Sequence, residues 1–159
     1  MVFVTLGTQD KTFGRLLKKV DELIDKGIIQ GKVIVQAGKT HYQSSQMEIF
    51  DFCSQEQLNQ YIEECDYMIT HAGVGSIING INHQKKVIAV ARRAKYGEHE
   101  NDHQVEITTK FAGFGYILGC VEVDELEEKI SELHDFTTKP YESNNKNFCD
   151  LIARLIDEK

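Results

Sequence analysis

Basic residues are in short supply: 18 lysines and arginines face 25 aspartates and glutamates, a formal charge of −7 over 159 residues. No Lys/Arg run is longer than two. A duplex nucleic-acid partner needs a basic face against phosphate, so that class of function is excluded. Electrostatic adhesion to anionic lipid is excluded on the same ground. Long apolar runs are also missing, and nothing approaches the roughly 20 residues of a membrane span. Membrane association is therefore expected only through a partner. The start, Met1 to Gly7, has no basic region and only a short apolar stretch, which reads as a first strand and not as a signal peptide. The four cysteines (Cys53, Cys65, Cys120, Cys149) are far apart and form no C-x-x-C pair. They read as reduced, mostly buried thiols of a cytosolic protein. Pro140 is the only proline. With the polar stretch Ser143–Asn147 it marks a hinge, dividing a main domain at 1–140 from a C-terminal helix at 141–159.

What is present is an ordinary globular composition, 41% apolar and 27% charged, with short β-branched runs alternating with helical periods. Strands are expected at Val2–Leu6, Val33–Gln36, Glu48–Phe52, Tyr67–Thr70, Val87–Val90 and Tyr116–Leu118. Phe13, Leu16, Leu17, Val20, Leu23 and Ile24 keep helical spacing up to Gly27. Ser54 with Gln57 and Asp124 with Glu127 have capping-box spacing, and a helix is expected from Ser76 to about His83 and another from near His103. This alternation predicts an α/β fold, a doubly wound parallel Rossmann-like sheet in a single domain. Phe148, Leu151, Ile152 and Leu155 put an apolar stripe on the last helix, suited equally to docking a partner and to packing on its own domain.

In such sheets ligands lie beyond the carboxyl ends of the strands, and the unusual residues fall there. Gly7-Thr8-Gln9-Asp10, Ala37-Gly38-Lys39-Thr40, His71 to Ser76 and Tyr96 to Gln104 follow four of the strands. Three motif matches fail on context. His99-Glu100-Asn101-Asp102-His103 has H-E-x-x-H spacing, but Gly97, Asn101 and Asp102 make a loop or helix start and no third ligand follows. No metal is expected. Gly38-Lys39-Thr40 resembles the end of a P-loop, but Val33 stands where its first glycine belongs. Gly73-Val74-Gly75 lacks the third glycine of a dinucleotide fingerprint, since position 78 is Ile78. No cofactor is expected.

The segment from His71 to Ser76 joins a buried strand to a helix. Its glycines allow close approach of a ligand, and its amides with the Ser76 hydroxyl face the positive end of the helix dipole. A leaving diphosphate gains negative charge as a sugar departs, so such a site favours the transition state. His71 adds a hydrogen bond or a positive charge. The plainer reading is a glycine turn that fits tight packing.

Leu6-Gly7-Thr8-Gln9, Gln36-Ala37-Gly38-Lys39, Thr70 to Ser76 and Glu98 to Gln104 occur in that order, and together they resemble the C-terminal domain of glycosyltransferase family 28, of GT-B architecture. The likeness runs from about Met1 to about Leu118 and is strongest to stand-alone catalytic subunits of two-component transferases of capsule and exopolysaccharide synthesis. The cytosolic subunit of the dolichol-linked GlcNAc transferase is similar too. The resemblance implies that His71, Gly73, Gly75 and Ser76 form a diphosphate loop, and that Gly7, Thr8 and Gln9 face donor phosphates and acceptor. Asp102 and Gln104 match a pair that grips donor-sugar hydroxyls, and Phe52 and Cys53 fall where uracil is held. Lys39 and Arg92 are candidate charge partners of the diphosphate. His71 and Gln9 are the catalytic candidates. Two departures stand out: Asn79 replaces the usual ribose-binding glutamate, without charge assistance, and Ala91 replaces a proline. Read from position alone, Asp102 caps a helix, and His41 and His83 are surface residues.

The resemblance further implies half of a cleft. The expected function is donor binding and catalysis in an inverting, metal-independent transfer from a UDP-sugar (galactosyl, GlcNAc or glucuronosyl) to a polyprenyl-diphosphate-linked sugar. A membrane-anchored, acceptor-binding subunit is the expected partner, holding this chain at the inner face of the membrane. The alternative is a non-catalytic enhancer subunit of such a transferase.

Overall fold

A computed structural model of the chain describes residues 1–140 and 146–157. Six strands form one sheet: β1 (Val2–Thr5), β2 (Val33–Gln36), β3 (Glu48–Phe50), β4 (Tyr67–His71), β5 (Lys86–Val90) and β6 (Leu118–Cys120). All pairings are parallel, in the order β3-β2-β1-β4-β5-β6. From β1 the chain winds outward through β2 and β3, then returns to β4 on the other side and winds out through β5 and β6. The order reverses between β1 and β4, which opens a crevice where the loops after those strands part. Thr5 is level with both Gln36 and Thr70, so the loops leave the sheet from one edge.

The connections are α1 (Gly14–Asp25), α2 (Gln55–Glu64), α3 (Val74–Asn82), α4 (His103–Gly113) and α5 (Leu126–Glu132), with α6 (Lys146–Asp157) last. Because strand side chains alternate between faces, each strand serves two cores. Val2 and Val4 pack with Leu16, Leu17, Val20 and Leu23 of α1, while Phe3 between them packs with Met68, Ile77, Val87 and Phe111. Full burial of a Leu or Phe side chain stabilises by about 1.5–3 kcal/mol, so the two layers of helices are held mainly by these residues.

The last helix puts its apolar stripe on its own domain. Leu151 and Leu155 are buried in the second core, and Ile152 packs partly against it; the side chain of Phe148 and most of the polar stretch before it lie outside the described residues. Ser54 caps α2, its hydroxyl accepting the Gln57 amide at 3.1 Å. Four elements differ by two residues at a boundary from those expected. The strand ending at Phe52 stops at Phe50. Helix α3 begins at Val74, two residues before Ser76, with Gly73 as its N-cap. Tyr116 belongs to the end of α4, since its amide donates to Phe111 O at 3.2 Å and Gly115 turns the chain at φ +81°. Strand β6 therefore starts at Leu118 and runs through Gly119, where a β-carbon would come within 2.7 Å of Thr108 Cγ2. Asp124 caps nothing: it lies in a 3₁₀ turn, Val123–Glu125, and α5 starts at Leu126.

Candidate functional site

A cavity of about 700 Å³ opens at the crevice between β1 and β4, within the range of small-molecule sites. Three loops build its polar walls. Gly7, Thr8, Gln9, Asp10 and Lys11 come from the loop after β1; His71, Gly73, Gly75 and Ser76 from the junction of β4 and α3; His99, Glu100, Asn101 and Gln104 from the segment that enters α4. Asn79 of α3 reaches the same space. Leu58, Ile62, Met68 and Ile107 give it an apolar floor.

The first turn of α3 is uncapped by any side chain. Ile77 N already donates to Gly73 O at 3.1 Å, which closes the first helical turn. The amides of Val74, Gly75 and Ser76 precede it and have no intrahelical acceptor. Glycine at position 75 leaves this end uncovered: a β-carbon there would meet nothing within 4 Å. The helix dipole adds partial positive charge at the same place.

His71 ends β4 and is 5% exposed. Its ring lies between two glycines. A β-carbon at Gly7 would fall 2.3 Å from Nε2, and one at Gly73 would fall 2.4 Å from Cε1. These two glycines therefore make room for an imidazole, whereas Gly75 makes room for a ligand. Burial, then the positive charge of Arg92, lowers the His71 pKa to about 3. The residue is neutral at physiological pH, which leaves the hydrogen-bond role and removes the cationic one. Gln104, 2% exposed, sits behind the ring. Its Oε1 accepts from the Ala72 amide at 3.2 Å and the Arg92 amide at 3.1 Å, and its Nε2 is 3.2 Å from His71 Nδ1.

Arg92 is 1% exposed and joins the loop after β5 to the loop after β1. It donates to Leu6 O at 2.6 Å, Lys11 O at 2.8 Å and Glu98 O at 3.3 Å, with its guanidinium carbon 5.1 Å from the Phe13 ring centroid. Burial lowers its pKa to about 10, so it stays charged. Glu98, 4% exposed, is gripped by two bonds from Arg15 at 2.9 and 3.1 Å and accepts the Arg93 amide at 3.1 Å. Arg93 in turn pairs with Glu122. Glu98 is thus paired, Arg92 is met by main-chain carbonyls with its Nε left without a hydrogen bond, and the loop from Arg92 to Asp102 is tied to α1 through Arg15.

Of the residues singled out in the sequence, Gly7, Thr8, Gln9, His71, Gly73, Gly75, Ser76, Asn79 and Gln104 converge on the cavity. The others stand elsewhere. The Arg92 guanidinium is engaged by main-chain carbonyls, as above. Asp102 is half exposed and turns away, its carboxylate accepting the Ala94 amide at 3.0 Å and pairing with Arg93 at 3.4 Å; that amide holds its pKa below the usual range. The helix-capping bond at this point comes from Asn101, whose Oδ1 accepts the His103 amide at 2.8 Å. Lys39 lies over the Phe52 ring at 5.6 Å, and both side chains are on the surface beside Cys53. Gln104, although it lines the cavity, is buried and bonded by the backbone.

The rejected motifs have structural explanations. Thr40, the last residue of the P-loop resemblance, is buried and accepts the Phe13 amide at 2.9 Å, completing the start of α1 from a neighbouring loop. His99 precedes α4 and accepts the Asn101 amide at 3.3 Å, while His103 opens α4 and bonds Leu155 O at 3.0 Å, so the H-E-x-x-H letters do not share one helical face. No group of three or more His, Cys, Asp or Glu side chains is placed to hold a metal among the described residues. His83 is half-buried and bonds Asn79 O at 2.8 Å. The third glycine missing at position 78 has a counterpart at Gly80, where a β-carbon would come within 2.6 Å of Val87 Cγ2. The sequence reading placed Asp10 and His99 in the candidate loops without giving either a role, and it left out Lys11, which follows the same strand end and also lines the cavity.

Comparison with known proteins agrees with this architecture. The profile described as "Glycosyltransferase family 28 C-terminal domain" matches residues 1–158. The UDP-N-acetylglucosamine transferase subunit ALG13 of Candida albicans is 31% identical over 116 residues, 73% of this chain and 36% of that protein. Its namesake in Debaryomyces hansenii is 30% identical over 103 residues, 64% of this chain and 44% of that protein. The chain thus aligns with less than half the length of either relative. An NMR solution structure of ALG13 superposes with a TM-score of 0.60 at 22% identity, covering 94% of this chain and 93% of that one. The glycosyltransferase of kitacinnamycin superposes at 0.62 with 17% identity, covering 99% of this chain and 38% of that one. At such identities these two structures speak to the fold.

Proposed function

The chain belongs to the family of glycosyltransferase family 28 C-terminal domains, and from that premise we propose that it is the donor-binding catalytic subunit of an inverting UDP-sugar glycosyltransferase. The observation that carries this reading is the uncovered first turn of α3 beside the neutral His71, at the reversal point of the sheet. The donor diphosphate lies against the amides of Gly75 and Ser76. The acceptor hydroxyl forms its bond to the anomeric carbon and yields its proton to a base on the second subunit, while the bond from that carbon to the β-phosphate oxygen breaks. Negative charge then grows on the diphosphate, where the amides, the dipole and the His71 imidazole N–H are already oriented. Gln9, across the crevice, faces acceptor and phosphate. No divalent cation has a part in this proposal, because the chain's own donors face the leaving group.

We take UDP-GlcNAc first among donors, ahead of UDP-galactose and UDP-glucuronate, a choice supported by the names of the two relatives. The word "subunit" in those names supports a second polypeptide, which we take to be membrane-anchored and to carry a lipid-linked sugar acceptor of surface polysaccharide assembly. No helix among the described residues is long and apolar enough to cross a membrane. The whole would then work at the cytoplasmic face. A non-catalytic enhancer role is favoured by one observation, the uncharged Asn79 at the cavity.

Calorimetry with UDP is the direct test, with binding expected for the chain in complex with its partner and its absence removing the donor role. Transfer of radiolabelled sugar by the reconstituted pair separates catalysis from enhancement. His71→Ala should slow transfer by about 10²–10³, the cost of one preorganised donor. Undiminished turnover would contradict its assignment.

A further inference from the structure

We propose that Gln104 is a positioning residue that fixes His71 as the neutral tautomer protonated on Nε2, so that the imidazole presents a hydrogen-bond donor to the cavity and acts neither as base nor as cation. The orientation of the Gln104 amide is set by the backbone. Two N–H groups, from the ends of β4 (Ala72) and β5 (Arg92), converge on Oε1 at 3.2 and 3.1 Å. An oxygen must face them, so the other end of the amide is the NH₂ group, and it lies 3.2 Å from His71 Nδ1. An NH₂ only donates. Nδ1 must therefore be the acceptor, and in a neutral ring the proton is on Nε2. That nitrogen lies against Gly7 at the cavity wall, and no protein group bonds it among the described residues.

This arrangement differs from a grip on sugar hydroxyls, which requires the Gln104 amide to reach the substrate. At 2% exposure with both ends engaged, it does not. The charges around the ring favour the same state. Arg92 and His99 oppose a second proton, and no carboxylate contributes to the shift of His71. The role in transfer rests on the proposed donor site, whereas the tautomer itself does not.

Long-range ¹H–¹⁵N correlation spectra of the full chain read the tautomer without any ligand. The expected result is a His71 ring with a protonated Nε2 and a bare Nδ1, without titration between pH 5 and 8. A protonated Nδ1, or titration near the ordinary histidine value, overturns the proposal. In Gln104→Glu the carboxylate still accepts from Ala72 and Arg92 but has no proton to donate. His71 should then acquire a proton on Nδ1, and an unchanged ring spectrum in the folded variant would sink the idea. If that variant fails to fold, the wild-type spectrum alone decides.

UDP, which lacks the sugar, separates positioning from sugar contact. Positioning predicts that Gln104→Glu weakens UDP binding by about tenfold or more, equivalent to about 1.4 kcal/mol. It also predicts no further loss when the change is added to His71→Ala. Unaltered UDP affinity together with weakened UDP-sugar affinity would instead identify a sugar contact. An additional loss in the His71→Ala background would identify charge repulsion and overturn the positioning role. Failure of the wild-type chain to bind UDP would count against the donor site and leave the spectra to judge Gln104.

Discussion

At the residue scale, His71 carries a cost that pH exposes. Its pKa is depressed to about 3 in the folded chain by burial and Arg92, against about 6.5 when unfolded. Between those values the unfolded chain binds a proton that the folded chain refuses. The stability associated with the neutral ring is complete above about pH 6.5 and is lost as pH falls toward 3, at a slope of up to about 1.4 kcal/mol per pH unit. Chemical denaturation of wild type and His71→Gln between pH 6.5 and 4 should show a flatter dependence in the variant. Parallel curves would mean that the ring titrates normally in the fold.

The same residue shows what was legible in the sequence. His71, Gly73, Gly75 and Ser76 were found because a buried strand ends there and glycines follow, a local signal. That Gly7 and Gly73 accommodate an imidazole was not legible. Gly7 is 64 positions from His71, and nothing in one-dimensional spacing brings them together. Arg92 illustrates the converse. A lone arginine after a strand at a suspected anion site reads as a ligand, yet three main-chain carbonyls converge on it, and main-chain direction is invisible in the sequence.

Among the elements, α3 matters most. Its two terminal glycines separate packing from access. Gly75→Ala meets no atom within 4 Å and should leave thermal stability unchanged or raise it by roughly 0.5–1 kcal/mol, since alanine suits a helix better. It should nevertheless weaken UDP binding, because it adds a methyl group where Gly75 lines the cavity. Gly73→Ala drives its β-carbon into His71 and should lower stability and binding together. Thermal denaturation beside calorimetry reads both; a stable Gly73→Ala protein with normal affinity would refute the packing described. Farther along α3, Gly80 lets the helix approach β5 closely. Its role was missed because the fingerprint places the third glycine at position 78. The strand expected at Tyr116–Leu118 likewise stops short of Gly119, a strand position that must clear Thr108.

For the molecule as a whole, the doubly wound plan was legible almost entirely, since alternation of strand and helix periods survives small errors at element ends. The strand order was not, and it is the order that puts the reversal between β1 and β4. That reversal is where the cavity opens. Reconstituted transfer should persist in excess EDTA, because charge on the leaving group is met by main-chain amides and His71. Abolition by EDTA with recovery on adding Mg²⁺ would oppose the proposed metal-free course.

The imidazole of His71, wedged between Gly7 and Gly73, works as a keystone shared by two loops that meet only in space. Its three members form one inheritance. Enlarging either glycine collides with the ring, and shrinking the ring opens a void beneath both loops. A larger side chain at either glycine therefore calls for a smaller one at position 71.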